Sequence, residues 1–313
     1  MSLEILQTIL PVFLIIAAGY IAVRLKVFQV SAVDGLMVFT QSFAIPCLLF
    51  LNIMRLDLNA VFDWRMMAAF YSGAILSFIL GILGARLLFH RRPGDSVAIG
   101  FSAMFSNGVL LGLPITERAF GHEALAGNFA IISIHAPLLY LIAITMMEAA
   151  RADGRSASAT AIIVFKAMFK NALMIGLGLG FIFNISAITL PSAVLLTTEM
   201  VSRAALPTAL FGLGGILAQY SLRASLAEAS MIISLKLLLH PALAYIFCVH
   251  VFALPIEFTR SAVVMASMAP GVNAYVFANM YNRAKDAAAS AVLLGTVASI
   301  FTASIWLWVL GDL

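Results

Sequence analysis

A chain of 313 residues that is 63% hydrophobic and only 10% charged, with a mean hydropathy of +1.07, is unlike a soluble domain, where roughly 25% of residues are charged. The net charge of +4 and pI near 9.2 do not indicate a nucleic-acid partner, because the basic residues fall singly or in pairs at segment ends with no aromatic interleaving. The two cysteines, Cys47 and Cys248, lie inside apolar runs, so neither a disulfide framework nor a Cys-based metal site is indicated.

Runs of about 20 apolar residues, enough to cross roughly 30 Å of hydrocarbon, recur ten times: near 4–23, 32–53, 66–89, 96–117, 125–148, 162–184, 195–219, 229–251, 259–281 and 286–310. The chain is therefore read as an all-α polytopic membrane protein, with the lipid bilayer as its surroundings. The first run follows Glu4, no basic residue precedes it and no small-residue cleavage site follows it, so it reads as a span and not a removable signal.

Lys and Arg set the orientation, since cytoplasmic loops carry the excess. With the N-terminus outside, 12 of the 18 fall on the cytoplasmic side: Arg24, Lys26, Arg86, Arg91, Arg92, Arg151, Arg155, Lys166, Lys170, Arg223, Arg283 and Lys285. The outside receives 4, namely Arg55, Arg65, Arg118 and Arg260, so both termini are expected on the extracytoplasmic side. Residues 149–161, with Arg-Ala-Asp-Gly-Arg-Ser, form the one soluble-looking linker and divide the chain into 1–148 and 162–313, five spans each. An odd number per half requires that, if the halves are repeats, they be inverted across the membrane. Pro46 and Pro207 are 161 residues apart and Asn107 and Asn273 are 166 apart, two landmarks that favour duplication.

The fourth and ninth spans carry the chemistry. Ser106-Asn107-Gly108-Val109-Leu110-Leu111-Gly112-Leu113-Pro114 and Ala269-Pro270-Gly271-Val272-Asn273-Ala274 each place Asn near Gly and Pro in mid-span, a composition that breaks a helix. Unwound backbone at membrane depth is tolerated only where protein or a wet cavity satisfies it, and such paired interruptions point to a transporter's binding site. Each break leaves a helix N-terminus whose free N–H groups and partial positive charge suit an anion. The alternative is that each Asn caps a broken helix or bonds across a helix pair.

His135, followed by Ala136 and Pro137 in the fifth span, is an intramembrane ionisable group that either binds an anion or relays a proton, or else bonds quietly to a backbone carbonyl. Lys236 and His240 lie one turn apart before Pro241. Lys236 could neutralise a helix C-terminus or a bound anion, and snorkelling to the headgroups is the preferred reading. No intramembrane Asp or Glu lies near either break, which disfavours cation exchange, and no phosphate loop, HExxH or nucleophile elbow is present, so no enzyme, cofactor or metal is expected.

At the two breaks the chain resembles the auxin efflux carrier family: the segment Ser106 to Pro114 is similar to the fourth helix of that family, and Pro270-Gly271-Val272-Asn273-Ala274-Tyr275-Val276-Phe277-Ala278 with Tyr281 to its ninth. The similarity extends over the whole chain, with the short linker in place of the long loop of the plant carriers. The resemblance implies an inverted five-plus-five repeat whose fourth and ninth helices, broken at Gly112, Pro114 and Pro270, cross at the substrate site, as in bile-acid symporters. It further implies a homodimer built on scaffold helices 1, 2, 6 and 7, and an elevator motion of transport helices 3–5 and 8–10. Organic anions are the implied cargo, from auxin-like acids to malonate or malate, held by Asn107, Gly108, His135, Gly271, Val272, Asn273, Ala274 and Tyr275. His135 stands where the plant carriers place a Gln, and Ala274 where they place a Pro. The expected function is thus a secondary carrier of a small organic anion, with a proton or sodium as the coupled ion. The alternatives are a sodium-coupled symporter of bile-acid-carrier type and a membrane receptor that binds without moving its ligand.

Overall fold

The computed structural model describes residues 3–58, 62–151, 171–220 and 225–311. The elements described are helical: α1 (Leu3–Arg24), α2 (Val30–Phe39), α3 (Ile45–Arg55), α4 (Trp64–Leu87), α5 (Pro93–Met104), α6 (Leu113–Phe120), α7 (Leu125–Arg151), α8 (Ala172–Ile185), α9 (Ser192–Arg203), α10 (Ala205–Leu217), α11 (Leu226–Ser234), α12 (His240–Ile246), α13 (Ile256–Ser267), α14 (Val272–Tyr281) and α15 (Lys285–Gly311). Among the described residues, seven helical stretches are long and apolar enough to cross a membrane: Gln7–Arg24, Val30–Arg55, Trp64–Leu87, His122–Ala150, Ser192–Leu217, Leu226–Val251 and Lys285–Gly311. Of the other three expected spans, the fourth and ninth are interrupted, into α5 with α6 and α13 with α14. The sixth begins outside the described residues, as does the linker from 152 onward, and its described part is α8.

Prolines shape the long helices. Wide π turns at Thr40–Ala44, Gly108–Gly112 and Leu235–Leu239 each run directly into a helix with Pro at its second position: Pro46, Pro114 and Pro241. A proline inside a helix removes one donor and crowds the carbonyl a turn earlier. Widening that turn by a residue absorbs the crowding without ending the helix. Pro207 is accommodated differently, by a turn at Ala204 after which the chain restarts as α10.

The chain forms two compact units, and each draws on both halves of the sequence. One comprises Val12–Val61 and Ile162–Gln219. Its helices meet through small residues, as membrane helices do when no water drives them together. A Cβ on Gly19 would lie 2.0 Å from the Phe211 carbonyl oxygen, and one on Gly214 would lie 1.9 Å from that of Ile16, so α1 and α10 touch backbone to backbone. Gly176 and Gly180 likewise let α8 lie on the Pro46 and Phe50 carbonyls of α3. Asn184 Nδ2 donates to the Ile53, Met54 and Leu56 carbonyls at 2.9, 3.0 and 2.6 Å, satisfying the end of α3.

The second unit comprises Met1–Pro11, Phe62–Ala161 and Tyr220–Leu313. Asp63 caps α4 by accepting the Arg65 N–H at 2.7 Å. α4 packs on α5 where Gly81 meets Gly100, and Ala85, Ile99, Ala103, Ala229, Ile232, Ala287 and Ala291 form a close-packed cluster of mostly small side chains. On α15 the large apolar side chains Phe301, Ile305 and Trp308 are exposed at helical spacing, the face that a lipid environment covers.

Candidate functional site

The fourth and ninth spans are both interrupted and the interruptions pair with each other, but the first lies at residues 105–107, upstream of Gly112 and Pro114, which sit inside the helix that resumes because the widened turn absorbs the proline. α5 ends at Met104 and α13 at Ser267, and the extended stretches that follow form an antiparallel bridge between Ser106 and Pro270. The Asn107 N–H donates to the Ala269 carbonyl at 2.9 Å, and the Gly271 N–H donates to the Phe105 carbonyl at 3.3 Å. Unwound backbone thus satisfies unwound backbone, which is how each break is tolerated among apolar helices. Beyond the bridge helix resumes on both sides, at Gly108 and at Val272, so two helix N-termini begin beside one another.

Glycine has different reasons at these starts. A Cβ on Gly108 would stand 2.3 Å from Met265 Cε and one on Gly112 2.5 Å from Met265 Sδ, so the missing side chains admit Met265 of α13 across the π turn. Gly271 is freer: its added Cβ would meet Phe105 at an ordinary 3.4 Å.

The polar side chains at the break are unspent. Asn107 is 5% exposed, its carbonyl accepts from Leu111 and Gly112 at 3.1 Å, and its side chain makes no cap bond, which removes the capping alternative for this residue. The Ser106 N–H donates to His135 Nε2 at 3.2 Å. An imidazole nitrogen that accepts cannot carry a proton, so in the neutral ring the hydrogen resides on Nδ1. Ser106 Oγ, Asn107 Nδ2 and His135 Nδ1 are all buried without a protein partner. A buried donor of this kind costs about 1–3 kcal/mol while nothing accepts from it.

The ninth-span residues are less uniform. Asn273 is half-buried, and its Oδ1 accepts from the Tyr140 hydroxyl at 3.3 Å, the cross-helix bond that sequence offered as the alternative. Val272 is half-buried at the start of α14, and the buried Ala274 donates its N–H to the Gly271 carbonyl at 2.9 Å. Tyr275, two residues from Asn273 and so on another helix face, packs on Tyr220 at 4.8 Å between ring centroids. The aromatic groups against His135 are Phe105, Phe70 and Tyr71, at 4.7, 5.6 and 6.1 Å. Tyr140 and these rings were not singled out in the sequence, because apolar periodicity does not separate a pocket-facing aromatic from a lipid-facing one.

Lys236 corrects the snorkelling expectation. It is fully buried, its Nζ donating to the Ala266 carbonyl at 2.7 Å and lying 2.8 Å from His240 Nδ1, while His240 Nε2 lies 3.0 Å from the Phe70 carbonyl. In an unbroken helix the Ala266 carbonyl would accept from residue 270, which is Pro and has no N–H. Lys236 supplies that donor, held inward by a bond the apolar run could not announce.

The chain is 25% identical over 305 residues to a protein of Rhizobium meliloti (strain 1021) named "Putative malonate transporter", covering 96% of this chain and 93% of the relative. It is 27% identical over 307 residues to an "Uncharacterized transporter" of Methanothermobacter thermautotrophicus, covering 96% of each. It is 22% identical over 305 residues to "Uncharacterized transporter YfdV" of Escherichia coli (strain K12), again covering 96% of each. Residues 4–307 match the model of the membrane transport protein family, and the chain therefore belongs to that family, the auxin efflux carriers, as a multi-pass membrane transporter and not an enzyme.

Proposed function

We propose that this transporter carries a small organic carboxylate, bound where the two broken helices meet. The carrying observation is the cluster of buried unpartnered atoms, Ser106 Oγ, Asn107 Nδ2 and His135 Nδ1, set beside the helix starts at Gly108 and Val272. All three can donate, and helix N-termini favour negative charge, so the cluster suits an anion with several acceptor lone pairs. Asn273 joins it when the Tyr140 bond yields, and Gly271, Val272 and Ala274 lend the backbone of the second start. Tyr275 lines the approach from the α14 side. Neutral His135 is a donor here, since an added proton on Nε2 would oppose the Ser106 N–H. The name of the Rhizobium relative makes malonate the first probe.

The cycle is of the elevator type. The unit that holds both breaks carries the anion, and the unit of Val12–Val61 and Ile162–Gln219 is the scaffold and the homodimer contact. That each unit is compact by itself supports this division.

Counterflow of labelled malonate, malate and indole-3-acetate by purified protein in lipid vesicles tests the reading. Asn107→Ala and Ser106→Ala are expected to weaken binding at least tenfold in protein that remains folded and inserted. Unchanged affinity in both variants would sink the site. Binding without flux would make the protein a receptor, and uptake that needs sodium would favour the bile-acid-carrier type.

A further inference from the structure

Lys236 is a fully buried amine-bearing side chain whose polar contacts are a neutral carbonyl and a neutral imidazole. A charge so placed is costly unless an opposite charge lies near. Among the described residues, the ionisable groups on the helices around it offer none. His240 shares its helix and His135 stands across Phe70, whose ring lies 4.9 Å from the His240 ring and 5.6 Å from that of His135. Tyr71 on α4 spends its hydroxyl on the Ile131 carbonyl at 3.0 Å, and Glu228 on α11 is paired with Arg91 at 2.6 Å. Asp95, Glu257, Arg260, Lys285 and Asp286 lie in the opening turns of α5, α13 and α15.

The geometry points to Lys236, with His240 as its hydrogen-bond partner, as the group that takes up a proton when the carboxylate enters. Lys236 is anchored to Ala266, three residues before the Ala269 carbonyl that receives the Asn107 N–H, so it adjoins the break that holds the anion. An anion beside it favours the ammonium, and by reciprocity the protonated lysine favours the anion. The proton comes from water on the side of entry, adds to the free amine, and leaves to water on the other side as the carboxylate departs. One proton and one anion then cross together. Gly73 makes room for the pair, since a Cβ there would lie 2.8 Å from His240 Cδ2.

This inference rests on the anion reading, and the test separates the two. Purified protein in a weakly buffered solution with a pH indicator, at pH 7.5, is titrated with malonate, and proton uptake is measured beside binding. The native protein is expected to take up close to one proton per malonate bound. Lys236→Arg, which keeps the charge but cannot release it, is expected to bind within a few-fold and to take up almost none. Lys236→Met is expected to bind at least tenfold more weakly, and imposed pH gradients should no longer drive accumulation in vesicles. Native binding without proton uptake, or uptake undiminished in Lys236→Arg, overturns the proton site and leaves the anion site standing. Absence of binding by any carboxylate of the panel overturns the anion reading itself. If both variants fail to fold, native binding without proton uptake still overturns the proton site.

Discussion

His135 illustrates what a single contact decides. Its Nε2 accepts from the Ser106 N–H, which leaves Nδ1 as a buried donor without a partner. A glutamine offers the same pair of roles with its amide, so His135→Gln is expected to keep malonate affinity within about threefold. His135→Leu leaves the Ser106 N–H unpaired as well, and is expected to weaken binding tenfold or more, which corresponds to about 1.4 kcal/mol in titration calorimetry. At the start of α4, the Arg65 guanidinium hydrogen-bonded to Asp63 holds its carboxyl below the usual range, against the opposing effect of burial. A group whose folded value is depressed stabilises above its unfolded value near ~4 and loses that contribution as pH falls through the folded value. Asp63→Ala is therefore expected to cost about 1 kcal/mol at pH 7 and progressively less as the pH falls below ~4, read from thermal unfolding in detergent.

At the scale of elements, close approach of backbones decides which glycines matter. On α8, Gly176 faces the Pro46 carbonyl oxygen, 2.6 Å from where a Cβ would sit, while nothing lies within 4 Å of a Cβ on Gly178. Gly178→Ala is expected to be neutral or to stabilise by up to about 1 kcal/mol, because alanine loses less backbone freedom in a helix. Gly176→Ala and Gly214→Ala are expected to destabilise by about 1–3 kcal/mol, since the obstructing atoms are backbone and cannot turn aside. Melting temperatures of the three variants, taken under one condition, check the contrast. Sequence alone could not rank these glycines, for all of them read as small residues in apolar runs.

For the whole molecule, the scatter of Lys and Arg predicts which ends face the cytoplasm. With Cys47 and Cys248 replaced by Ser, Val27→Cys is expected to react with a membrane-impermeant thiol reagent only in inside-out vesicles, and Glu257→Cys only in right-side-out ones. The reverse pattern would invert the topology. Much was legible from the chain itself. Apolar run length placed seven of the ten expected spans, and the Asn, Gly and Pro content at 106–114 and 269–274 marked the neighbourhood of the two interruptions but not the break point in the first, which precedes Gly108. Only the tertiary structure revealed that the breaks bridge each other through Ser106 and Pro270, that Lys236 turns inward to replace the donor missing at Pro270, and that each compact unit mixes the two sequence halves. Those facts join residues that are roughly 30 to 170 positions apart in sequence, and a periodicity read over one or two turns of helix carries no information about partners at that distance.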